Sequence, residues 1–276
     1  MPSVLVTGAA RGIGRSITEY LARRGWDVVA GVRTQDDAEA VAAVDARRIT
    51  PVILDVTNDD HIADLVASLP GRLDGVVNNA GVAVNGPMEV VTTADWRKQL
   101  EINVIGQLAV TRAVLPKLRE SRGRVVFMSS VNVRMSMPML GAYSASKYAL
   151  EAAADAMRME LRPWKIPVVI VEPAQTDTDM WRAAGDVVLE TEAAMAPEHR
   201  ELYARHLAGM KKLVPVAQRM TVPTEKVSAV VEAALTTRRP RARYVVGAGP
   251  KAQVRLMTNL PTAVRDLMLR KVTGQP

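Results

Sequence analysis

The sequence predicts an α/β fold built on a doubly wound parallel sheet of about seven strands, with helices on both faces. Short apolar segments alternate with helical patterns along most of the 276 residues, which is the order that parallel strands with crossover helices require. A glycine-rich turn follows the first apolar segment, and polar residues follow several later ones. Because sites in such sheets form beyond the carboxyl ends of the strands, this pattern also predicts where the function lies.

Seven short segments contain valine in an apolar run and have the length of buried strands. The longest helical patterns between them cover residues 93–119 and 142–161. The chain length suits one domain over residues 1–276, and it is sufficient to bury a full core. The predicted strands are residues 4–6, 28–32, 50–54, 75–78, 124–128, 168–171 and 244–246.

Residues of about 177–220 break the alternation of strands and helices. They are rich in Ala, Glu, Arg and Met, and we interpret them as a helical lid over the substrate. A simple surface excursion is the other interpretation. Met180, Met195 and Met210 would line an apolar pocket under a lid, although methionines at helical spacing also serve ordinary packing.

Residues of about 248–276 form a basic C-terminal extension. From 236 to 276 the chain has nine basic residues and one acidic residue, so this part accounts for the whole formal charge of +7. Apolar residues alternate with arginines between 256 and 272, and Pro261 interrupts that helical pattern. We favour a solvated or packed tail, with peripheral contact to an anionic membrane as the alternative. No nucleic-acid partner is predicted.

Composition excludes several classes of function. The chain has no cysteine, so disulfides and thiolate metal sites are excluded. The three histidines have no ligand spacing, and no metal is predicted. No apolar run is long enough to span a bilayer, and no signal peptide precedes the first strand. We therefore expect a cytoplasmic protein that is at most peripheral to a membrane.

A turn containing Gly8, Gly12 and Gly14 follows the first strand and precedes a helical pattern that Gly25 closes. Gly8 suits a tight turn, while Gly12 and Gly14 suit close approach of a phosphate and close packing of helix on strand. The helix N-terminus would offer backbone N–H groups to a pyrophosphate. The turn favours a Rossmann-type dinucleotide site, although its G-x-x-x-G-x-G spacing also suits a purely structural turn.

Tyr143 and Lys147 are four residues apart in a helical pattern, so their side chains share one face. A cation beside a phenol favours the phenolate, and we expect the pKa of Tyr143 to lie below its usual value near 10. Such a tyrosine is a general acid/base near neutral pH. We expect Ser144 and Ser146 on the helix surface.

Five short motifs follow one another along the chain. They are the glycine turn at 7–14, Asn78-Asn79-Ala80-Gly81, Asn103, Ser130 with Tyr143-x-x-x-Lys147, and the segment 173–178. Together they resemble the motifs of the short-chain dehydrogenase/reductase family, with Ala174 where that family usually has glycine. The resemblance is close over residues 4–178 and loose over the C-terminal third, and residues 124–173 most resemble the hydroxysteroid and retinol dehydrogenase branch.

The resemblance implies a catalytic set of Asn103, Ser130, Tyr143 and Lys147. Tyr143 would exchange a proton with the substrate oxygen, and Ser130 would donate a hydrogen bond to it. Asn103 would hold a water near Lys147, and Lys147 would also bond the nicotinamide ribose. Ser129 competes with Ser130 for the serine role, and spacing favours Ser130.

The cofactor is predicted to be NADP(H), with NAD(H) as the alternative. The second strand ends in Val32 and Arg33, where an acid would bind the ribose of NAD. Arg33 and Arg11 suit a 2′-phosphate, whereas Asp36 and Asp37 follow closely enough to bind the ribose of NAD(H) instead. The predicted cofactor-binding residues are Gly8, Arg11, Gly12, Ile13, Gly14, Arg33, Asp55, Val56, Asn79, Ala80, Gly81, Tyr143, Lys147, Pro173, Thr176 and Thr178.

The sequence thus predicts an NADP(H)-dependent oxidoreductase that interconverts an alcohol and a carbonyl on a small, largely apolar substrate. One alternative is a 3-ketoacyl reductase whose basic tail binds an acidic acyl carrier. Another is a catalytically silent dinucleotide sensor, against which the full catalytic set argues. The resemblance further implies a homodimer or homotetramer assembled through the two long helices.

Overall fold

The computed structural model describes residues 1–275 and contains one seven-stranded sheet in the order β3-β2-β1-β4-β5-β6-β7. Every neighbouring pair of strands is parallel. The predicted doubly wound sheet is therefore confirmed. Its strands are β1 (Ser3–Thr7), β2 (Asp27–Val32), β3 (Ile49–Ile53), β4 (Gly75–Asn78), β5 (Arg124–Met128), β6 (Val168–Glu172) and β7 (Arg243–Val245).

Helices connect the strands and cover the sheet. The predicted helix 142–161 is α6, and the predicted helix 93–119 is α4 and α5 joined by a π-helical turn, Glu101–Gly106. The α-helices are α1 (Gly12–Arg23), α2 (Gln35–Ala42), α3 (Asp59–Ser68), α4 (Thr93–Leu100), α5 (Gln107–Ser121), α6 (Gly141–Glu160), α7 (Asp179–Arg182), α8 (Ala184–Ala194), α9 (Pro197–Leu202), α10 (Ala204–Gln218), α11 (Thr224–Thr236), α12 (Ala248–Asn259) and α13 (Thr262–Val272).

The sheet is buried on both faces because each strand sends alternate side chains to opposite sides. Val4 and Val6 of β1 pack with Ile17 and Leu21 of α1 in one apolar cluster. Leu5, between the two valines, packs in a second cluster on the other face. An apolar run in the sequence therefore produces a strand that is buried throughout.

The order of the strands creates the site. Strand β1 lies between β2 and β4, so the chain leaves the sheet in opposite directions on either side of β1. Ligands bind at such a switch point, beyond the carboxyl ends of the strands. The carboxyl ends of β1, β4 and β5 at Thr7, Asn78 and Met128 border this crevice.

Two helical groups lie outside the alternating pattern. Helices α7–α10 span the predicted lid, where Met195, Leu207 and Met210 pack against Met139, which precedes α6. Helices α12 and α13 follow β7 and are separated by Leu260 and Pro261, as the helical pattern predicted. Among residues 1–275, no helix has both the length and the apolar character needed to cross a bilayer.

Candidate active site

The glycine turn has the backbone that a phosphate cradle requires. Gly8 and Gly12 adopt φ values of +65° and +55°, in the left-handed region that other L residues rarely adopt. A Cβ on Gly14 would overlap the carbonyl oxygen of Gly8 and crowd the Asn79 amide nitrogen. Arg11 precedes α1 without a side-chain cap, so the first N–H groups of this helix are available to an anion.

The Asn79-Ala80-Gly81 segment is fastened to the glycine turn. The Thr7 hydroxyl oxygen accepts hydrogen bonds from the backbone N–H groups of Asn79 and Ala80, each at 3.0 Å. The Asn79 amide nitrogen donates to the carbonyl oxygens of Thr7 at 3.1 Å and Gly8 at 3.3 Å. These bonds fix the ends of β1 and β4 relative to each other, which makes the floor of the crevice rigid.

The crevice is a cleft of about 280 Å³ that contains most of the predicted site. Gly14, Asn103, Ser130 and Thr176 were predicted too, but they do not line it. Additional lining residues include Asp37, Met128, Val82 and Met180. The predicted residues that line it are Gly8, Arg11, Gly12, Ile13, Arg33, Asp55, Val56, Asn79, Ala80, Gly81, Tyr143, Lys147, Pro173 and Thr178.

The Tyr143–Lys147 pair is arranged along α6 as predicted, but the pKa of Tyr143 differs from the prediction. The Lys147 Nζ lies 5.9 Å from the centroid of the Tyr143 ring and donates to the Met128 carbonyl oxygen at 2.7 Å. Burial lowers the pKa of Lys147 to about 8, partly offset by the charge of Glu151. Burial also raises the pKa of Tyr143, while its hydrogen bond with Ser130 lowers it. The prediction of a lowered tyrosine pKa was therefore wrong for the protein alone, because the loss of hydration on burial outweighs the hydrogen bond with Ser130.

The two candidate serines have different partners. Ser130 lies beside the phenol and its oxygen accepts from the Asn132 N–H at 3.2 Å. Ser129 lines the cleft, but its hydroxyl instead donates to the buried Glu151 Oε1 at 2.7 Å. The geometry favours Ser130 for the catalytic role, since Ser129 is committed to a carboxylate.

Asn103 lies in the π-helical turn, completely buried. Its Oδ1 accepts from the Val82 N–H at 2.8 Å, and its Nδ2 donates to the Val82 carbonyl at 2.9 Å and to Ser146 Oγ at 3.1 Å. The side chain thus ties the π-helical turn to the loop after β4.

The expectation that Ser144 and Ser146 lie on the helix surface was wrong. Both are buried. The Ser146 hydroxyl donates to the Tyr143 carbonyl at 2.7 Å and accepts from Asn103, so it links the catalytic helix to the π-helical turn. The helical pattern alone could not reveal this, because α6 is covered on more than one side.

The end of β2 presents an exposed cation to the cleft. Arg33 is exposed, lines the cleft and makes no hydrogen bond or ion pair within residues 1–275. Asp37 also reaches the cleft, whereas Asp36 does not line it. Two hydrogen bonds from Thr57 hold the Asp55 carboxylate, and the pKa of Asp55 is lowered chiefly by the backbone one.

Some residues of the segment after β6 line the cleft, and others are buried away from it. Pro173 and Thr178 line the cleft, and the Thr178 oxygen accepts from the Trp181 N–H at the start of α7. Thr176 is buried away from the cleft, with its hydroxyl donating to the Ala174 carbonyl at 2.9 Å. Of the methionines in the predicted lid, Met180 lines the cleft, while Met195 and Met210 pack in an apolar cluster with Leu207.

These features fit a dinucleotide. The positive-φ glycines and open helix end suit a pyrophosphate, and the exposed guanidinium suits a further phosphate. The phenol and ammonium line the same cleft. Within residues 1–275, no group of three or more His, Asp or Glu side chains is arranged to hold a metal ion.

Sequence reasoning missed a buried carboxylate next to the Tyr143–Lys147 pair on α6. Glu151 lies one helical turn beyond Lys147 and is one of the charges acting on it. Its spacing of four residues from Lys147 was a visible signal, but Glu and Lys at this spacing are also typical of exposed helix faces.

Comparison with known proteins agrees with this geometry. The short chain dehydrogenase family matches residues 2–187. Retinol dehydrogenase 16 of Mus musculus is 34% identical, covering 99% of this chain and 89% of that protein. The NADPH-dependent 3-dehydrocapnine reductase of Ornithobacterium rhinotracheale is 32% identical, covering 89% of this chain and 88% of that protein.

A solved structure shares the whole architecture. A short chain dehydrogenase from Burkholderia cenocepacia J2315, in complex with NADP, has a TM-score of 0.74 and 25% identity, covering 100% of this chain and 98% of that one. Since the family match spans well over half of the chain, this protein belongs to the short-chain dehydrogenases, a family of oxidoreductases, near the retinol dehydrogenases.

Proposed function

We propose that this chain is an NADP(H)-dependent oxidoreductase that interconverts an alcohol and a ketone or aldehyde on a largely apolar substrate. The observation that carries the proposal is one cleft lined by the glycine turn, the unpaired Arg33 and the Tyr143–Lys147 pair. A silent sensor would need the first of these features but not the last.

The cofactor would lie along the cleft with its pyrophosphate at the N-terminus of α1. The guanidinium groups of Arg33 and Arg11 would bind the 2′-phosphate, and Asp55 with Val56 would contact the adenine. Bound NADP(H) would supply or accept the hydride. The named NADPH dependence of one relative and the NADP in a structural neighbour support this choice, and NAD(H) is the alternative that Asp37 would serve.

Tyr143 would hold the proton that is exchanged with the substrate oxygen. In the free site, Ser130 is hydrogen-bonded with the phenol. With substrate bound, its hydroxyl would donate instead to the substrate oxygen, where negative charge develops. The ammonium of Lys147 would bond the cofactor ribose and stabilise the phenolate. A raised tyrosine pKa suits carbonyl reduction, because the phenol then keeps its proton at neutral pH.

An apolar substrate is supported by the cleft next to this pair. Val82, Ile102 and Met180 line it, and Met180 is carried by the first helix of the predicted lid. Several relatives are named retinol dehydrogenases, which act on an apolar alcohol as their name states. We propose that α7–α10 cover this substrate.

Calorimetric titration of the purified protein with NADPH and NADH tests the cofactor assignment. We expect NADPH to bind about tenfold or more tightly, since an arginine–phosphate pair is a charge-assisted interaction. Equal affinity would contradict the phosphate assignment. Turnover of free ketones and aldehydes, compared with carrier-linked 3-ketoacyl substrates, then separates the proposed activity from a ketoacyl reductase.

We also propose that α13 lies on an anionic membrane surface. Val264, Leu267, Met268 and Val272 recur at helical spacing and are 42%, 50%, 39% and 58% exposed. Leu269 faces the protein instead and packs beside the apolar cluster that includes Val131 and Val254. An exposed apolar stripe on a basic helix is typical of proteins that bind at a membrane surface. Such a membrane contact would bring membrane-dissolved apolar substrates close to the protein.

Assembly and location remain predictions from the sequence. Ile105 on the π-helical turn and Tyr148 on α6 are 52% and 46% exposed, which supports a homodimer or homotetramer through these helices. We propose a cytoplasmic protein that contacts the membrane only peripherally.

A further inference from the structure

A buried cluster of charges lies behind the catalytic pair. It contains Glu151 on α6 and Glu172 at the end of β6, whose side chains are 5% and 1% exposed. Arg134 reaches them from the segment after Ser130, and Arg243 reaches them from β7. Buried charges are costly unless they are paired, so a cluster in this place calls for a physical role.

Glu151 is held by donors from three parts of the chain. Its Oε1 accepts from the Ser129 hydroxyl at 2.7 Å. Its Oε2 accepts from Arg134 at 3.1 Å and from Arg243 at 3.3 Å. The carboxylate therefore has one position, fixed by the end of β5, the following segment and the edge strand.

The same strand end holds the catalytic lysine. Ser129 follows Met128, whose carbonyl oxygen accepts from Lys147 Nζ at 2.7 Å. Tyr143, Lys147 and Glu151 follow one another at intervals of four residues along α6, so their side chains share one face. At the end of β5, the Met128 carbonyl oxygen thus accepts a hydrogen bond from the Lys147 ammonium. The hydroxyl of the next residue, Ser129, donates a hydrogen bond to the Glu151 carboxylate.

The ammonium needs such a counter-charge. Lys147 is 5% exposed, and its burial lowers its pKa, whereas the charge of Glu151 raises it. A charge pair interacts more strongly in a poorly hydrated interior than in water. Within residues 1–275, Glu151 is the charged group that offsets the burial of Lys147.

The other charges of the cluster act on one another. Arg134 pairs with both glutamates. Arg243 pairs with both glutamates and with Asp155, which lies one turn further along α6. Burial and the charge of Glu151 raise the pKa of Glu172, and the two arginines lower it. Glu172 shares the arginines of Glu151 but is not one of the charges that set the state of Lys147.

We propose that Glu151 is a positioning residue of the catalytic site, which keeps Lys147 in its ammonium form and aligned with the end of β5. The inference rests on the proposed function for its importance in catalysis. The electrostatic coupling between the Glu151 carboxylate and the Lys147 ammonium can be measured in the protein without cofactor or substrate.

The test is an NMR titration of Lys147 in protein labelled with ¹³C-lysine, with the signal assigned by its loss in Lys147→Arg. For the wild type we expect a midpoint of about pH 8. In Glu151→Gln the midpoint should fall by about one unit, because the opposing charge is gone. The matched control, Glu172→Gln, removes a carboxylate that pairs with the same arginines and should leave the midpoint unchanged.

The pH dependence of kcat/KM is the second readout. If Lys147 acts as an ammonium, the fall in activity at high pH should begin about one unit lower in Glu151→Gln. Glu151→Asp keeps the charge and should restore most of the wild-type profile. If Glu151 had a purely structural role, its loss would lower activity at every pH without changing the pH at which activity falls.

An unchanged Lys147 midpoint in Glu151→Gln overturns the proposal. If that variant does not fold, Glu151→Gln with Arg134→Gln removes both members of one ion pair and so keeps the net charge of the cluster, and a fall in the Lys147 midpoint is again expected. A wild type that neither binds NADPH nor turns over substrate would reject the proposed function, whereas the Lys147 titration would still decide on Glu151.

Discussion

At the scale of the residue, burial shifts the pKa values of the proposed catalytic pair, Tyr143 and Lys147. The phenol of Tyr143 has a raised pKa and the ammonium of Lys147 a lowered one, each because charge is unfavourable in a poorly hydrated site. In the free protein, burial therefore favours the protonated phenol and lowers the pKa of the neighbouring lysine to about 8. This arrangement suits a general acid that receives its proton back through neighbouring groups.

Ser130→Ala should change the pH dependence as well as the rate. The hydrogen bond with Ser130 lowers the pKa of Tyr143, so its loss should raise that pKa further. Alcohol oxidation needs the phenolate, so the rise of kcat with pH in that direction should move to higher pH. The value of kcat should also fall by about 10²–10³-fold, because the substrate oxygen loses a hydrogen-bond donor. Measuring kcat from pH 6 to 11 checks this, and an unmoved limb would contradict the Tyr143–Ser130 contact.

Arg33→Asp should reverse the cofactor preference. The new carboxylate would repel a 2′-phosphate and accept from ribose hydroxyls, so the Kd for NADPH should rise about tenfold or more while that for NADH stays or falls. Arg47→Asp is the matched control, because Arg47 is exposed and does not line the cleft. Equal weakening of both cofactors would show that Arg33 does not distinguish them.

At the scale of the element, irregular backbone places the site. The π-helical turn between α4 and α5 directs Asn103 toward Val82 and Ser146, and the glycine turn opens the N-terminus of α1. Neither departure is a defect, since each directs polar groups to the carboxyl ends of β1 and β4. π-helical turns occur frequently at functional sites for this reason.

Gly14→Ala should weaken cofactor binding and stability together. Its Cβ would overlap the Gly8 carbonyl, and relieving that overlap should cost about 1–3 kcal/mol. Gly185→Ala provides the control, because its Cβ would meet nothing within 4 Å and should be neutral or stabilising by about 0.5–1 kcal/mol. Thermal unfolding and NADPH titration check both variants, and a stable, tightly binding Gly14→Ala would contradict the close approach.

The elements were largely predictable from sequence, whereas contacts between them were not. All seven strands lie within one residue of their predicted ends, because buried parallel strands have continuous apolar runs. The glycine turn and Tyr143–Lys147 pair follow from local spacing. The burial of Ser146, the partners of Asn103 and the direction of the Tyr143 pKa shift depend on long-range packing, which local periodicity does not encode.

At the scale of the whole molecule, the C-terminal helices join the site to the surface. Val254 and Met257 of α12 pack with Val131 and Met135, just after Ser130, the proposed catalytic serine. The next helix presents its apolar stripe outward. A substrate taken from a membrane would thus arrive beside the segment that carries the serine.

Flotation with vesicles tests the membrane contact. The protein should float with vesicles rich in phosphatidylglycerol, and less with phosphatidylcholine alone, because the tail is basic. Leu267→Glu with Met268→Glu should abolish flotation while leaving NADPH binding intact. Leu202→Glu, at another exposed leucine, should float normally; equal flotation of all three proteins would contradict a role for α13.

The most direct test of the account compares wild-type protein and Tyr143→Phe in NADPH oxidation with a panel of apolar ketones and aldehydes. We expect wild-type turnover with at least one compound, and a loss of about 10²–10⁴-fold in the variant, with NADPH affinity nearly unchanged. Equal activity of the two proteins would contradict the assignment of Tyr143 as the proton donor. Binding of NADPH without turnover of any compound, free or carrier-linked, would instead favour a dinucleotide sensor.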